Sequence, residues 1–180
     1  MPQSGATDEP MRRVLVLGCA GAGKSTFSNG LAAVLKLPVF HLDRYFWRPH
    51  WKQPDPATWR ETIAELAAAS DWIMDGNYSN TFDLRMPRAD TAVWLDFPRS
   101  VCMRRVLART LRGYGRTRPD GPDGCPERFD FEFFRFVWSF DAEYRPLIVE
   151  GITRYGRNLR LFQLTTDRDV ANLLTQIGRS

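Results

Sequence analysis

The clearest chemistry in the sequence lies in a glycine-rich segment of eight residues, Gly18 to Ser25. It reads Gly-Cys-Ala-Gly-Ala-Gly-Lys-Ser and fits the pattern G-x-x-x-x-G-K-[S/T] at every fixed position. Glycines allow a tight turn whose backbone N–H groups point inward, where they and the start of a following helix attract phosphate oxygens. Lys24 would then reach the β- and γ-phosphates of a nucleotide, and the Ser25 hydroxyl would ligate Mg²⁺.

This pattern predicts a binding site for a nucleoside triphosphate, most simply ATP with Mg²⁺ as its metal. An ordinary glycine-rich turn that binds nothing is the alternative. The context disfavours that alternative, because an apolar stretch precedes the segment and a helical pattern follows it. The residues assigned to the nucleotide are Gly18, Gly21, Ala22, Gly23, Lys24, Ser25, Thr26 and, from a later segment, Arg112.

Two aspartates follow predicted strands and could complete a phosphotransfer site. Asp75 ends the apolar stretch 72–74, and a carboxylate there can hold Mg²⁺ directly or through water. Asp43 ends the stretch 38–42 and could orient or deprotonate an acceptor hydroxyl. Each has an ordinary alternative: Asp75 as the cap of a turn, and Asp43 as the ion-pair partner of a nearby arginine.

Arginines are concentrated in one part of the chain. From Arg99 to Arg118 there are seven arginines and no acidic residue. Arg112, Arg116 and Arg118 lie in or beside the stretch 113–126, whose Gly, Pro, Arg and Asp residues predict a loop. Such a loop suits a mobile lid over the triphosphate, with Arg116 and Arg118 stabilising charge during transfer. The alternative for Arg112 is that it lies on a solvated helix face.

Two further features could bind the phosphoryl acceptor. Arg85 and Arg88 follow the Asp75 turn and could hold an anionic acceptor, or they could be surface charges. The aromatic residues of 45–51 could stack on a planar group, or they could form a small core beneath a loop. The sequence leaves both alternatives open.

These side chains must be positioned by alternating strands and helices. A Pro at the first position of a helix after Asp55, and helical spacing of apolar residues elsewhere, predict the intervening helices. This alternation predicts a parallel sheet with helices on both faces and ligands at the carboxyl ends of the strands. The predicted strands are Val14–Leu17, Pro38–Leu42, Trp72–Met74, Thr91–Leu95 and Leu159–Leu164.

Length and composition limit the class of protein. The 180 residues favour one domain, which we predict at residues 11–180 after a disordered polar tail at 1–10, with the lid at about 112–128. No apolar run is long enough to span a membrane, and the three cysteines lack metal-ligand spacing. We therefore expect a cytoplasmic protein. The net charge of +4 leaves nucleic acid as a possible partner, although the local arginine cluster favours phosphate clamping at one site.

Several short motifs follow one another in order along the chain. They are His41-Leu42-Asp43-x-x-Phe46-Trp47, Asp75-Gly76-Asn77-Tyr78, Arg88-Ala89-Asp90, Trp94-Leu95-Asp96-x-Pro98, Arg116-Thr117-Arg118-Pro119-Asp120 and Gly124-Cys125-Pro126-Glu127. Together they resemble the bacterial DNA topology modulation proteins, which belong among the adenylate-kinase-like P-loop NTPases, and the resemblance covers about residues 12–155. It implies a three-layer α/β P-loop fold, with a five-stranded parallel sheet in the order 2-3-1-4-5 and a lid after the fourth strand. Asp75-Gly76 resembles the Asp-Gly that adenylate kinases use near Mg²⁺, but Asn77-Tyr78 replaces their Phe-Pro.

Two functions follow as hypotheses. The first is a kinase that transfers the γ-phosphoryl of ATP to an unidentified small molecule or nucleotide, with Asp43, Arg85 and Arg88 at the acceptor. The second is an ATP-dependent regulator that binds DNA or a protein partner and uses hydrolysis as a switch. The position of Asp43 favours the kinase hypothesis, because its carboxylate suits an acceptor hydroxyl and has no role in contacting DNA.

Overall fold

A computed structural model describes residues 10–119 and 121–179 of the chain. Five strands form one sheet in the order β2-β3-β1-β4-β5, and every neighbouring pair is parallel. This is the order that the resemblance implied. The predicted tail falls almost entirely on residues 1–9, which lie outside the described residues. The strands are β1 (Arg13–Gly18), β2 (Val39–His41), β3 (Trp72–Asp75), β4 (Thr91–Leu95) and β5 (Arg160–Leu164).

Helices connect the strands in the manner that the alternating pattern predicted. The main ones are α1 (Lys24–Leu35), α2 (Leu42–Phe46), α3 (Pro56–Ala68), α4 (Phe82–Arg85), α5 (Arg99–Gly113), α6 (Phe131–Glu143), α7 (Arg145–Tyr155) and α8 (Asp167–Ile177). Helix α1 contacts α8, whereas α4, α7, α6 and α5 contact one another in series. All residues of β3 and β4 are buried, which requires cover on both faces of the sheet. No helix among the described residues has the length and apolar character needed to cross a bilayer.

Local sequence explains where several helices begin. The Asp55 carboxylate accepts hydrogen bonds from the N–H groups of Ala57 and Thr58, at 3.0 and 3.1 Å, and Pro56 occupies the first turn of α3. Helix α8 begins with a capping box between Thr166 and Asp169. These caps satisfy backbone donors that a helix leaves unpaired, so the boundaries are fixed by residues visible in the sequence.

The carboxyl ends of the parallel strands lie at one edge of the sheet. Gly18 ends β1 at this edge, and His41 and Asp75 end the neighbouring strands β2 and β3 in paired register. All three cysteines are free and buried. The elements therefore bring the glycine-rich segment and the predicted aspartates to the same edge, although the aspartates lie far from that segment in sequence.

Candidate active site

The glycine-rich segment forms a tight loop between β1 and α1. Gly18, Gly21 and Gly23 all have positive φ, at 139°, 83° and 96°. A Cβ on Gly18 would lie 2.4 Å from the Leu95 carbonyl oxygen, and one on Gly21 would lie 2.4 Å from that of Cys102. Glycine is therefore required at both positions by conformation and by space.

Lys24 lies across the mouth of this loop. Its ammonium Nζ donates to the carbonyl oxygens of Gly18 at 3.0 Å and Cys19 at 3.1 Å. Ser25 is half-buried in the first turn of α1, and Thr26 beside it is exposed. The loop thus presents backbone amides, a helix N-terminus and one ammonium group together, which is an arrangement suited to a polyphosphate.

Asp75 occupies the end of β3 beside this loop. It is only 4% exposed, and its Oδ2 lies 2.7 Å from His41 Nδ1. His41 Nε2 lies 3.2 Å from Asn29 Oδ1 on α1, so the imidazole links the carboxylate to that helix. The position of His41 on a predicted strand favours a packed side chain, and nothing in the sequence indicates this contact with Asp75.

The oxygen donors near the loop fit a magnesium ion. Mg²⁺ in phosphotransfer sites is held by one or two protein oxygens together with substrate phosphates and water. Asp75 Oδ1 accepts no hydrogen bond from the residues that the structure describes, and the Ser25 hydroxyl lies on the neighbouring helix start. No group of three or more His, Cys, Asp or Glu side chains among these residues could hold a metal alone. Phosphate oxygens of the nucleotide would therefore supply the remaining ligands of such an ion.

Asp43 lies in the first turn of α2 and is exposed. The Tyr78 hydroxyl donates to its Oδ1 at 2.6 Å. Burial, together with the neighbouring Asp43 carboxylate, raises the pKa of Tyr78 well above its ordinary value. The hydroxyl therefore remains a donor at physiological pH and orients the carboxylate that the sequence assigned to the acceptor.

The aromatic residues beyond Asp43 pack together rather than forming an open stacking surface. Phe46 contacts Trp47, Trp59 and Tyr78 with ring centroids 4.8–5.0 Å apart, and Trp47 contacts Trp51 at 5.6 Å. All but Trp59 are half-buried, so the cluster keeps some exposed aromatic surface. The satellite-core interpretation accounts for most of this cluster.

Five arginines of α5 and the following loop line one cleft of about 590 Å³. One of its lining residues, Arg105, contacts the glycine-rich loop: its Nη1 donates to the Ala22 carbonyl oxygen at 3.5 Å. The Arg105 side chain also pairs with Asp167 at 2.6 Å. The arginines that line the cleft are Arg105, Arg109, Arg112, Arg116 and Arg118.

A buried carboxylate anchors the loop that lines this cleft. Glu127 is 7% exposed, and its Oε1 lies 2.8 Å from Arg118 Nε and 3.1 Å from Arg109 Nε. Arg112 and Arg116 are exposed and form no ion pair with any residue that the structure describes. The structure therefore brings the three predicted lid arginines together but gives Arg118 an anchoring contact as well.

Two predicted acceptor ligands require correction. Arg85 is fully buried, and its guanidinium donates to backbone carbonyls of the turn after β3, so it offers no surface to an anionic acceptor. Arg88 lies just before β4 begins, at the opposite edge of the sheet, where its Nη2 lies 3.4 Å from the Ala68 carbonyl oxygen. Both assignments to the acceptor are therefore wrong. The spacing from Asp75 in the sequence could reveal neither the burial of Arg85 nor the position of Arg88 at the other edge.

Asp96 also differs from expectation. The run Asp96-Phe97-Pro98 in the sequence is typical of a helix cap, but α5 begins after Pro98 and gains no side-chain cap. The Asp96 carboxylate instead pairs with Arg145 at 2.9 Å and accepts from Gln163 at 2.6 Å. It therefore ties α7 and β5 to the end of β4.

The fold is shared with solved kinases, although no protein-family model and no curated protein sequence matches the chain. A shikimate kinase from Acinetobacter baumannii, in complex with shikimate, is 15% identical with a TM-score of 0.59 and matches 94% of this chain and 92% of its own. A shikimate kinase from Bacteroides thetaiotaomicron is 19% identical with a TM-score of 0.53, over 94% and 97% of the two chains.

A gluconokinase from Sinorhizobium meliloti 1021 is 15% identical with a TM-score of 0.51, over 95% of both chains. At these identities the likeness is one of fold alone. The chain therefore has the P-loop fold of shikimate-kinase-like proteins, with the parallel sheet and surrounding helices that the sequence predicted.

Proposed function

We propose that this chain is a Mg²⁺-dependent kinase that transfers the γ-phosphoryl of ATP to a hydroxyl of a small molecule or nucleotide. The observation that carries the proposal is the loop Gly18–Ser25, in which Lys24 Nζ lies across inward-turned backbone. Phosphoryl transfer requires little covalent chemistry from the protein, so positioning and charge stabilisation are the expected contributions. This loop provides both for a triphosphate.

Different residues around the loop would bind the phosphates and the Mg²⁺ ion. Backbone N–H groups of Gly21, Gly23 and Lys24 would hold the β-phosphate, while Lys24 neutralises charge on the β- and γ-phosphates. Ser25 and Asp75 would hold Mg²⁺, which supplies neutralisation of phosphate charge when bound. His41 fixes the Asp75 carboxylate in place through the 2.7 Å contact.

Asp43 would act on the acceptor. Its exposed carboxylate, oriented by the Tyr78 hydroxyl, can accept the proton of an attacking hydroxyl or align that hydroxyl with the γ-phosphorus. The acceptor would approach over the aromatic cluster of α2 and Trp51. Because Arg85 is buried and Arg88 is remote, neither contributes to this binding.

The segment at about 112–128 would serve as the lid of a single domain spanning residues 11–180. Arg112 and Arg116 are the exposed cations of the cleft and would bind triphosphate oxygens when the lid closes. Arg118 would stabilise charge on the transferring phosphoryl while Glu127 holds the base of the lid. A dry, cation-lined cleft would strengthen these interactions relative to water.

A finer assignment rests on the sequence motifs. Their resemblance to DNA topology modulation proteins supports placing the chain in that branch of adenylate-kinase-like proteins. The solved structures of similar fold are named as kinases of shikimate and gluconate-type acceptors, and a small hydroxylated acceptor would be consistent with their likeness.

The second candidate is a regulator that binds DNA through the arginines of 99–118. Five of these seven arginines line one cleft, which favours a clamp on a small polyphosphate, because duplex binding needs cations spread along a face. A DNA-binding function requires duplex affinity that falls steeply with salt. Fluorescence anisotropy with a labelled duplex at two salt concentrations measures this directly, and absence of binding at moderate salt would discard it.

A phosphoryl-acceptor screen tests the proposal. The purified chain is incubated with ATP and Mg²⁺ against nucleosides, nucleotides, sugars and cofactor precursors, and ADP release is measured. We expect at least one class to accelerate ADP release well above the rate with water, and we expect no acceleration in Lys24→Met. If no acceptor changes the rate, or if Lys24→Met behaves as wild type, the proposal fails.

A further inference from the structure

A buried guanidinium organises the turn that follows β3. The Arg85 side chain is 0% exposed, and its donors reach the carbonyl oxygens of three consecutive residues. Nη1 donates to Gly76 at 3.1 Å, and Nη2 donates to Asn77 and, at 3.3 Å, to Tyr78. Nε donates to the Thr81 hydroxyl at 3.2 Å. A planar, rigid donor fork fixes several acceptors in one geometry, which a flexible ammonium cannot do.

The charge of Arg85 persists despite its burial. Removal from water lowers the pKa of the guanidinium to about 9, which is still above neutrality. The side chain therefore remains a cation at physiological pH, and its partners are carbonyl dipoles and a hydroxyl. No carboxylate among the described residues pairs with it.

From this turn, two side chains reach the two halves of the candidate active site. The Asn77 amide pairs with both backbone groups of Gly18: Nδ2 donates to the carbonyl oxygen at 2.9 Å, and Oδ1 accepts from the N–H at 2.9 Å. The Tyr78 hydroxyl donates to Asp43 Oδ1 at 2.6 Å. One turn thus contacts the first residue of the phosphate-binding loop and the carboxylate proposed to act on the acceptor.

The backbone of the turn is held in an uncommon conformation. Tyr78 has φ 36° and ψ 61°, in the left-handed region that non-glycine residues rarely adopt. Its ring packs 4.8 Å from Phe46 and 4.9 Å from Trp59, and its carbonyl is held by Arg85. Such strain persists only where the surroundings fix it, and it is concentrated at functional sites.

We propose that Arg85, Asn77 and Tyr78 are positioning residues that set the separation between the triphosphate and the acceptor oxygen. This inference rests on the proposed kinase function. In-line transfer needs reacting atoms about 3–3.5 Å apart, and a displacement of about 1 Å can cost on the order of a hundredfold in rate. Asn77 fixes the side of the triphosphate, Tyr78 fixes the side of the acceptor, and Arg85 couples the two by holding their backbone.

The three positions have different expected kinetic effects. Tyr78→Phe removes one hydroxyl and keeps the ring, so kcat falls about tenfold while KM for Mg·ATP stays within about twofold of wild type. Asn77→Ala frees the start of the loop, so KM for Mg·ATP rises on the order of tenfold. Arg85→Lys keeps the charge but loses the fork, so it changes both kcat and KM.

The experiment measures ADP release by the full chain with Mg·ATP, using water or the acceptor that the screen identifies. Calorimetry with a non-hydrolysable ATP analogue reports binding separately, and thermal melting reports folding. Tyr155→Phe is the matched control, because it removes a half-buried tyrosine hydroxyl on α7 at the opposite edge of the sheet. It should leave kcat and KM within about twofold of wild type.

The separation of effects decides the proposal. It is overturned if Tyr78→Phe retains wild-type kcat, or if every variant loses kcat and binding together in proportion to its loss of thermal stability. Should Arg85→Lys fail to fold, the contrast between Tyr78→Phe and Asn77→Ala still decides. If wild type itself neither binds nor turns over ATP, the kinase function fails, and that result is distinct from an active wild type with unaffected variants.

Discussion

Lys24 Nζ lies 3.0 Å from the carbonyl oxygen of Gly18, so the ammonium spans the loop from its seventh residue back to its first. This contact holds the cation where the β- and γ-phosphates would enter. Lys24→Met keeps the aliphatic part of the side chain and removes the charge. We expect ADP release to fall by at least a hundredfold, because transition-state charge on the phosphoryl loses its nearest cation.

Lys36→Met is the matched control for this change. Lys36 is exposed at the carboxyl end of α1, more than two turns from the loop. Its replacement should leave ADP release near wild type. Circular dichroism and melting should be unchanged for both variants, and a Lys24→Met protein with full turnover would contradict the assigned role.

The exposed cleft arginines should act on nucleotide binding. Arg112→Ala and Arg116→Ala each remove a cation that forms no ion pair with the described residues, so the free protein loses little stability. A charge-assisted hydrogen bond to phosphate is worth about 1.5–3 kcal/mol, which corresponds to a rise of about tenfold or more in Kd. Calorimetry with an ATP analogue and Mg²⁺ measures this rise in Kd.

The control for the cleft arginines is Arg157→Ala, an exposed arginine in the turn before β5. Equal weakening by Arg157→Ala would mean that net charge alone, and not the cleft, attracts the nucleotide. Repeating the titrations at higher salt separates attraction by net charge from binding in the cleft, because long-range attraction is screened within about 10 Å at 0.1 M.

Glu127 should be a stability determinant of the lid. Its carboxylate is 7% exposed and lies 2.8 Å from Arg118 and 3.1 Å from Arg109. Glu127→Gln keeps the shape and removes the charge, which leaves two guanidinium groups without their shared carboxylate. We expect the free energy of unfolding to fall by on the order of 3 kcal/mol. Denaturant unfolding measures it, and Glu61→Gln on the exposed face of α3 is a control that should cost almost nothing.

The ion pair between α3 and α4 predicts a pH-dependent stability. The Arg60 guanidinium donates to Asp83 at 2.6 Å and lowers the pKa of that carboxyl below its ordinary 3.8. A lowered pKa in the folded state stabilises the protein above pH 3.8 and loses that contribution as the pH falls through the lowered value. Asp83→Asn should therefore be less stable than wild type by about 0.5 kcal/mol at pH 7.

The same comparison near pH 3 checks the sign. The difference between wild type and Asp83→Asn should be smaller there and should disappear only below the lowered pKa of Asp83, because protonation then removes the charge that distinguishes them. Denaturant unfolding at both pH values suffices. A difference that grew on acidification would show that the carboxylate destabilises the fold.

Much of this architecture was predictable because it depends on local patterns. Apolar runs that end in glycine or aspartate gave β1, β3 and β4 at nearly their observed bounds, and Asp55-Pro56 gave the start of α3. The glycine-rich motif also fixes its own geometry, since three positive φ angles occur at its glycines. The phosphate-binding half of the site follows from such short-range information.

The acceptor half depends on contacts between distant residues. Nothing near Arg85 in sequence indicates that its guanidinium is buried against Gly76 and its neighbours, and the sequence offered only an acceptor ligand or a surface charge there. The Tyr78–Asp43 contact joins residues 35 positions apart and depends on a left-handed backbone that tyrosine seldom adopts. The one available signal was the replacement of Phe-Pro by Asn77-Tyr78 after Asp-Gly.

Calorimetric titration of ATP with Mg²⁺ into the full chain tests the central claim most directly. We expect saturable one-to-one binding in the micromolar to millimolar range typical of enzyme substrates, and strong weakening in Lys24→Met. Absence of binding heat for every purine triphosphate across several temperatures, with magnesium present and the protein folded, would contradict the account.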